Sequence, residues 1–271
     1  REIPVANNKD EFCYGMAVGA SGVYMACDYG AAASYDAAAI AVSTAGVRQW
    51  GVTFNGAANG IDIMNNVGVL PNGNIVFRGR VRNAIQAPAT AGGRRNLMAC
   101  FTPAGAQVWT DQFLTAGSNN EWTDDLGFAV DASNNTYVGT LTETGANLDY
   151  FNTVMKYTAT GTRSYVSTAA DAGFDSYPNG IAVDGAGNAY AIGYKVDLLV
   201  TNSQNIRVRK ISASGTTVWD TLWNGSANLA DVGFEGFVDG SGNVTVGGVT
   251  DVVSGADRDG ILLNFKGTDG S

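Results

Sequence analysis

The 271-residue chain reads as an all-β protein, a five-bladed β-propeller with four antiparallel strands per blade. Three observations point there. A glycine is followed four residues later by an aromatic at Gly46–Trp50, Gly105–Trp109, Gly161–Tyr165 and Gly215–Trp219. Between these marks recurs a segment of the form Gly-Ile-Ala-Val-Asp-Gly-Ser-Gly-Asn-Val-Tyr-Val, with copies at Gly15–Met25, Asn66–Phe77, Gly127–Val138, Gly180–Ala191 and Gly236–Val246. Self-similarity at a spacing of about 50–60 residues means one supersecondary unit copied several times. Five copies fill residues 1–271 as a single domain. Composition agrees: 36 Gly against 5 Pro, with 45% hydrophobic residues, suits many short strands joined by tight turns.

The fourth repeat shows how one unit is expected to fold. Tyr177–Val183 is a first strand, Asp184-Gly185-Ala186-Gly187-Asn188 a glycine-rich hairpin turn, and Ala189–Tyr194 the returning strand. A longer loop leads to a third strand, Ile206–Ile211. Ser212-Ala213-Ser214-Gly215 then turns the chain into a fourth, Thr216–Leu222, which carries Trp219. Four such strands make a propeller blade, and about 4–8 blades is the usual range.

Residue size follows from position in that architecture. First strands read Tyr14-Gly15-Met16-Ala17-Val18, Leu126-Gly127-Phe128-Ala129-Val130 and Asn179-Gly180-Ile181-Ala182-Val183, with Gly and Ala where converging strands would collide. Trp50, Trp109, Tyr165 and Trp219 lie further out, where neighbouring sheets fan apart and large rings fill the space. Core packing is their expected role. The last repeat ends at Leu262–Phe265 and the turn Gly267-Thr268-Asp269-Gly270, without a fourth strand. Arg1–Val5 has strand character, with Ile3 at the aromatic's place, and is expected to complete the fifth blade and remove the open edges.

Charge and composition exclude several classes. A net charge of −9 disfavours nucleic-acid binding, which needs a basic surface. The absence of histidine removes the commonest general base and zinc ligand. No apolar run approaches the ~20 residues of a membrane span. A first residue of Arg1 suggests that a leader peptide has been removed, and so a secreted, cell-surface or periplasmic protein.

Cys13 and Cys27 fall on paired strands of the first blade. A three-residue hairpin loop sets them opposite one another; a two-residue loop shifts them to a diagonal and to opposite faces. Pairing therefore stays open. Cys100 occupies the slot of Lys156 and Lys210, a position expected to be exposed, and an odd cysteine suggests a free thiol or an intermolecular link. Asp10, Asp175 and Asp231 each stand five residues before a repeat's glycine, with Asp62 and Asp124 slightly out of that register. A ring of carboxylates could hold calcium or a cationic ligand. Capping of backbone amides at the crossings is the favoured reading. Asp184–Asn188 and Asp239–Asn243 likewise read as turns, because they lack the further acids of a calcium loop. No cofactor or metal is expected.

Gly180-Ile-Ala-Val-Asp-Gly-Ala-Gly-Asn-Ala-Tyr190 and Ile206-Arg-Val-Arg-Lys-Ile-Ser-Ala-Ser-Gly-Thr-Thr-Val-Trp219 resemble the bacterial SBBP-type β-propeller repeat. The resemblance spans nearly the whole chain. It is degraded in the first two copies, where Gly19-Ala20-Ser21-Gly22 and Pro71-Asn72-Gly73-Asn74 replace the turn motif. It implies an extracellular or envelope-associated propeller and no catalytic motif.

The short turns all fall on one face, and the longer connections on the other, which suits binding carried on a rigid scaffold. On that loop-rich face the candidate binding residues are Arg80, Arg82, Arg94 and Arg95 from Arg80–Asn96, with Asp149, Tyr150 and Phe151, and Tyr194, Lys195 and Asp197. Trp122, Tyr177 and Trp223 join them from the crossings. The expectation is a non-catalytic protein-binding or assembly module. Carbohydrate binding is the alternative, and a glycoside-active enzyme using channel-mouth carboxylates the less favoured one. Near-equivalent blades argue against an enzyme, which needs unlike residues at one site.

Overall fold

In a computed structural model the described residues are 10–31, 34–56, 60–82, 93–115, 118–122, 127–144, 149–169, 171, 173–200, 204–253 and 257–271. They form twenty β-strands. Among the described residues no helix is long and apolar enough to cross a membrane. The chain divides into two compact units, Arg1–Asp124 and Asp125–Ser271. The expected strand at Arg1–Val5 lies outside the described residues, as do Asp124 and Asp125.

The first unit holds two four-stranded antiparallel meanders. One is β1 (Asp10–Gly19), β2 (Gly22–Ala31), β3 (Ser34–Val42) and β4 (Arg48–Phe54). The other is β5 (Ile63–Val69), β6 (Ile75–Arg82), β7 (Arg94–Phe101) and β8 (Gln107–Phe113). A further strand, β9 (Ser118–Trp122), lies beside β7. In the second unit, β10 (Phe128–Val130), β11 (Thr136–Thr144), β12 (Asp149–Tyr157) and β13 (Arg163–Ala169) pair in order. So do β14 (Phe174–Val183), β15 (Ala189–Asp197), β16 (Gln204–Ile211) and β17 (Thr217–Trp223). The last sheet has three strands among the described residues: β18 (Asp231–Val238), β19 (Val244–Val253) and β20 (Asp257–Phe265). The expected strands of the fourth repeat are thus found, each a little longer or displaced by a residue.

Turn chemistry sets the hairpins. Asp184 N–H donates to the Asn188 carbonyl and Gly187 N–H to the Asp184 carbonyl, closing a tight loop whose left-handed residue is Gly187 (φ 80°). The glycine next to the aspartate, Gly185, has no such φ, so the Asp-Gly pair is not the deciding signal. Asn134 (φ 65°) takes the same place in the β10–β11 hairpin, asparagine being among the few residues that tolerate it. The Asp184 carboxylate accepts from the Ala186 and Asn188 amides at 3.0 and 2.9 Å and from the Asn188 side chain at 2.7 Å. Asp131 and Asp239 repeat this pattern. Their oxygens are occupied by the turn itself, in keeping with the turn reading over the calcium one.

The first hairpin settles the cysteines. Gly19 opposes Gly22, so the loop is the two-residue Ala20-Ser21, which alone would set Cys13 on a diagonal to Cys27. A bulge between Cys13 and Gly15 inserts Tyr14 and restores the register, so that Cys13 faces Cys27 and the two form a disulfide. The same bulge recurs between Met64 and Asn66, Pro178 and Gly180, and Gly233 and Glu235. In each of these strands one residue is extra: Tyr14, Asn65, Asn179 and Phe234. Close packing lies beside it. A β-carbon on Gly15 would stand 2.6 Å from the Asn65 carbonyl oxygen, and one on Gly180 2.5 Å from that of Phe234.

The cores lie between adjacent sheets. Tyr24, Phe77, Leu97, Phe101 and Met64 pack in the first unit with Trp50 on their margin. Tyr190, Ile192, Val208, Trp219, Val246 and Phe265 pack in the second. The repeat's aromatic has a specific partner, the turn glycine of the following sheet. A β-carbon would meet the Trp50 ring at 2.6 Å from Gly105, Tyr165 at 2.6 Å from Gly215, and Trp219 at 2.7 Å from Gly270. Trp50 Nε1 also donates to the Pro103 carbonyl, and Trp219 Nε1 to that of Gly267. Glycine and aromatic recur together because each aromatic needs a bare backbone in the next repeat to lie on.

Two expectations are corrected. Cys100 is fully buried, not exposed, and burial pushes its thiol up to about 12. The slot match was right, but the slot is not an open one: in the equivalent place Lys210 Nζ donates to the Gly267 carbonyl at 2.6 Å. The candidate binding residues, moreover, are on strands and not in loops, which the next section develops.

A candidate binding surface at the strand ends

All ten expected site residues lie where second strands end or third strands begin. Arg80 and Arg82 close β6, and Arg94 and Arg95 open β7, paired as Arg82 with Arg94 and Val81 with Arg95. Asp149, Tyr150 and Phe151 open β12; Tyr194, Lys195 and Asp197 close β15. The loop reading failed because the ladders run further than the hydrophobic alternation that marks them. Residues 83–92 of the expected long loop lie outside the described residues.

In the first unit Arg80 and Arg94 are committed to structure. Trp122 of β9 has the Arg94 guanidinium 3.6 Å and the Arg80 guanidinium 5.6 Å from its ring centroid. The Arg94 amide donates to Asn120 Oδ1 at 3.0 Å. Arg80 is buried.

The second unit presents a denser cluster. Tyr177 of β14 opposes Tyr194 of β15 directly, and their rings stack at 4.6 Å with an 11° interplanar angle. Tyr150 lies 6.1 Å from Tyr177, brought there by the Tyr150 amide, which donates to Asp175 Oδ1 at 2.9 Å. Burial, and then the Asp175 carboxylate, raise the phenols of Tyr177 and Tyr194, so both stay neutral. Lys195 Nζ sits 3.9 Å over the Phe174 ring and 3.4 Å from Asp171. Arg207 grips Asp171 at 2.6 Å and both oxygens of Asp220 at 2.9 and 2.5 Å. Burial works against ionisation of Asp171, but Arg207 and Lys195 outweigh it and hold the carboxyl low. Asp197 caps the turn that follows, accepting from the Leu199 amide at 2.9 Å.

That turn carries residues the sequence reading passed over. Leu198, Leu199 and Val200 are 50%, 92% and 56% exposed. Their signal was the run of large aliphatic residues Leu198-Leu199-Val200 just after the second strand of the repeat. A second omission is a cleft of about 490 Å3 lined by Asn179, Tyr194, Val232, Phe234, Glu235 and Arg258. Two of these are bulge residues, and a bulge leaves no mark in a repeat pattern.

The aspartates at the crossings cap amides. Asp62 accepts from the Gly56 and Arg82 amides at 2.5 and 2.6 Å, and Asp231 from Gly225 at 2.8 Å. Glu121 does the same for Thr115 at 2.8 Å. Asp10 is exposed at the start of β1. Burial pushes Asp62 up to about 6 against the lowering by its two amides. Among the described residues no group of three acidic or cysteine side chains is placed to hold a metal ion.

No family model matches the chain, and no curated protein does. Solved structures do match. The chain of Drosophila Plexin A in complex with Semaphorin 1b aligns with a TM-score of 0.52 at 11% identity, over 94% of this chain and 51% of that one. Drosophila Semaphorin 1b, extracellular domains 1–2, aligns with a TM-score of 0.52 at 10% identity, over 95% and 52%. This chain thus spans about half the length of these two. The likeness shows a propeller-like all-β fold. A putative exo-β-1,3-galactanase from Bifidobacterium bifidum also matches, at TM-score 0.46 and 13% identity over 94% and 88%. A gluconolactonase and a family-43 glycoside hydrolase stand beside it. The expectation of a non-catalytic protein is corrected on this point. Proteins named as enzymes stand among the matches. Matches of this identity assign no activity.

Proposed function

We propose that the chain is an extracellular or envelope-associated five-bladed propeller that contacts a protein partner, or further copies of itself, through the strand ends of its second unit. The observation that carries this is the exposed turn Leu198–Val200, set beside Tyr194 and Lys195. Exposed apolar side chains grouped with aromatic and cationic ones are the usual centre of an interface. The Cys13–Cys27 disulfide supports secretion, since such bridges persist in oxidising compartments. The resemblance to the SBBP-type repeat points the same way. Closure by Arg1–Val5 is part of the proposal. Trp219 lies on Gly270 as Trp50 lies on Gly105, so the turn after β20 stands where a fourth strand follows in other sheets.

Site-specific photocrosslinking tests the contact. A photoreactive residue at position 199 should give adducts in cells secreting the protein, and Leu199→Asp together with Leu198→Ser should abolish association. The same probe at Gly185, in the turn at the opposite end of β14 and β15, should give none. Adducts from position 185 alone would assign the contact to the other face.

A further inference from the structure

The cleft in the second unit differs in chemistry from the apolar turn. Its lining comes from four strands: Asn179 on β14, Tyr194 on β15, Val232, Phe234 and Glu235 on β18, and Arg258 on β20. Two aromatic residues share it with an amide, a carboxylate and a guanidinium. Phe234, the bulge residue, is 46% exposed, an unusual setting for a ring that could turn inward. The polar groups are held in place. Asn179 Nδ2 donates to the Gly233 carbonyl at 2.7 Å, which leaves its Oδ1 as the acceptor. Asp251 takes Nε and Nη2 of Arg258 at 2.6 and 3.4 Å. Gly180 makes room for the carboxylate: a β-carbon there would stand 2.8 Å from Glu235 Oε2. Tyr194 is braced from behind by its stack on Tyr177.

We infer that this cleft is a binding site for a neutral saccharide. Its volume lies in the range of about 300–1,000 Å3 common to small-molecule sites. A sugar ring presents an apolar C–H face for an aromatic ring and hydroxyls that donate and accept at its edge. Glu235 and Asn179 Oδ1 supply acceptors and Arg258 a donor. Other ligands use only part of this set. A quaternary amine would gain from the rings and Glu235 but has no hydrogen-bonding group for Asn179 Oδ1 or Arg258. Phosphate would gain from Arg258 but meets Glu235. A purely apolar ligand would strip water from three polar side chains without replacing their hydrogen bonds.

Saturation-transfer difference NMR on the full chain, with glucose, galactose, mannose and N-acetylglucosamine as separate probes, tests this. Each is offered at roughly 10 mM, ten times a Kd of about 1 mM. At least one sugar should receive transfer at its ring C–H protons. Tyr194→Ala and Phe234→Ala should each weaken that binding about tenfold or more, with circular dichroism and melting temperature retained. Phe237→Ala, on the same strand and 63% exposed but outside the lining, should leave it unchanged. Glu235→Gln guards against a folding artefact, since it keeps size while losing an acceptor charge, and should weaken binding as well. Transfer to none of the four sugars, or transfer that survives both aromatic substitutions, overturns the inference. So does stronger binding of tetramethylammonium or inorganic phosphate. Leu199→Asp should leave sugar binding intact, so failure of the protein contact and failure of the saccharide site are told apart.

Discussion

Alanine placed at two equivalent turn glycines should cost very different amounts. Gly46 and Gly105 both sit in the turn between third and fourth strands, with φ of 76° and 86°. A side chain in that left-handed conformation costs about 1–2 kcal/mol, and the effect of alanine on the unfolded chain is common to both positions. Their surroundings differ. Among the described residues nothing lies within 4 Å of a β-carbon at Gly46, whereas at Gly105 it would meet Trp50 Cγ, Cδ1 and Cδ2 at 2.6, 2.8 and 3.0 Å. That ring has little room to retreat, being packed 5.4 Å from Phe101 and bonded to the Pro103 carbonyl at 2.9 Å. Overpacking of this kind adds about 1–3 kcal/mol. Gly46→Ala should therefore lose about 1–2 kcal/mol and Gly105→Ala roughly 2–5 kcal/mol. Equilibrium urea unfolding followed by circular dichroism, at constant slope, measures both. In a Trp50→Ala background the Gly105→Ala cost should fall to that of Gly46→Ala, a non-additive cycle expected of groups in contact. Equal losses for the two glycines, or an additive cycle, would refute the aromatic-on-glycine account of the repeat.

Trp219→Ala should cost on the order of 3–5 kcal/mol in the same assay, because the ring is 8% exposed and donates to Gly267. Asp62 binds a proton more readily folded than unfolded, so its contribution favours the fold at low pH and is lost as pH rises from about 4 to about 6. The stability gap between wild type and Asp62→Asn should narrow over that window by up to about 3 kcal/mol, and carboxyl-carbon NMR titration of Asp62 gives the direct check. Reduction of Cys13–Cys27, which closes a short loop, should cost about 3 kcal/mol, while Cys100 stays unreactive to thiol reagents until the protein unfolds. Removing Arg1–Val5 should lower the melting temperature if that segment completes the last sheet, and an unchanged value would dismiss the closure proposal.

Strands, hairpins and their grouping into meanders could be read from residue order, because each rests on contacts within some twenty residues. The alternation of Ile181, Ala182 and Val183, the left-handed glycines and the regular Gly-to-aromatic interval carry that information locally. The large rings could be placed between sheets for the same reason. Other features needed a neighbour to decide them. One inserted residue reverses every side chain beyond it, and whether Tyr14 bulges depends on how closely β1 approaches the backbone around Asn65. That insertion, invisible in the repeat, paired Cys13 with Cys27. The commitment of Arg80 and Arg94 depends on Trp122 arriving from β9. Asp62 and Asp231 could be read as candidate ligands or caps until the amides they accept from were in place. The saccharide cleft is the extreme case. Its residues come from four strands and span Asn179 to Arg258, and only the packing of one sheet on the next brings a phenol, a phenyl ring, a carboxylate and a guanidinium around one space.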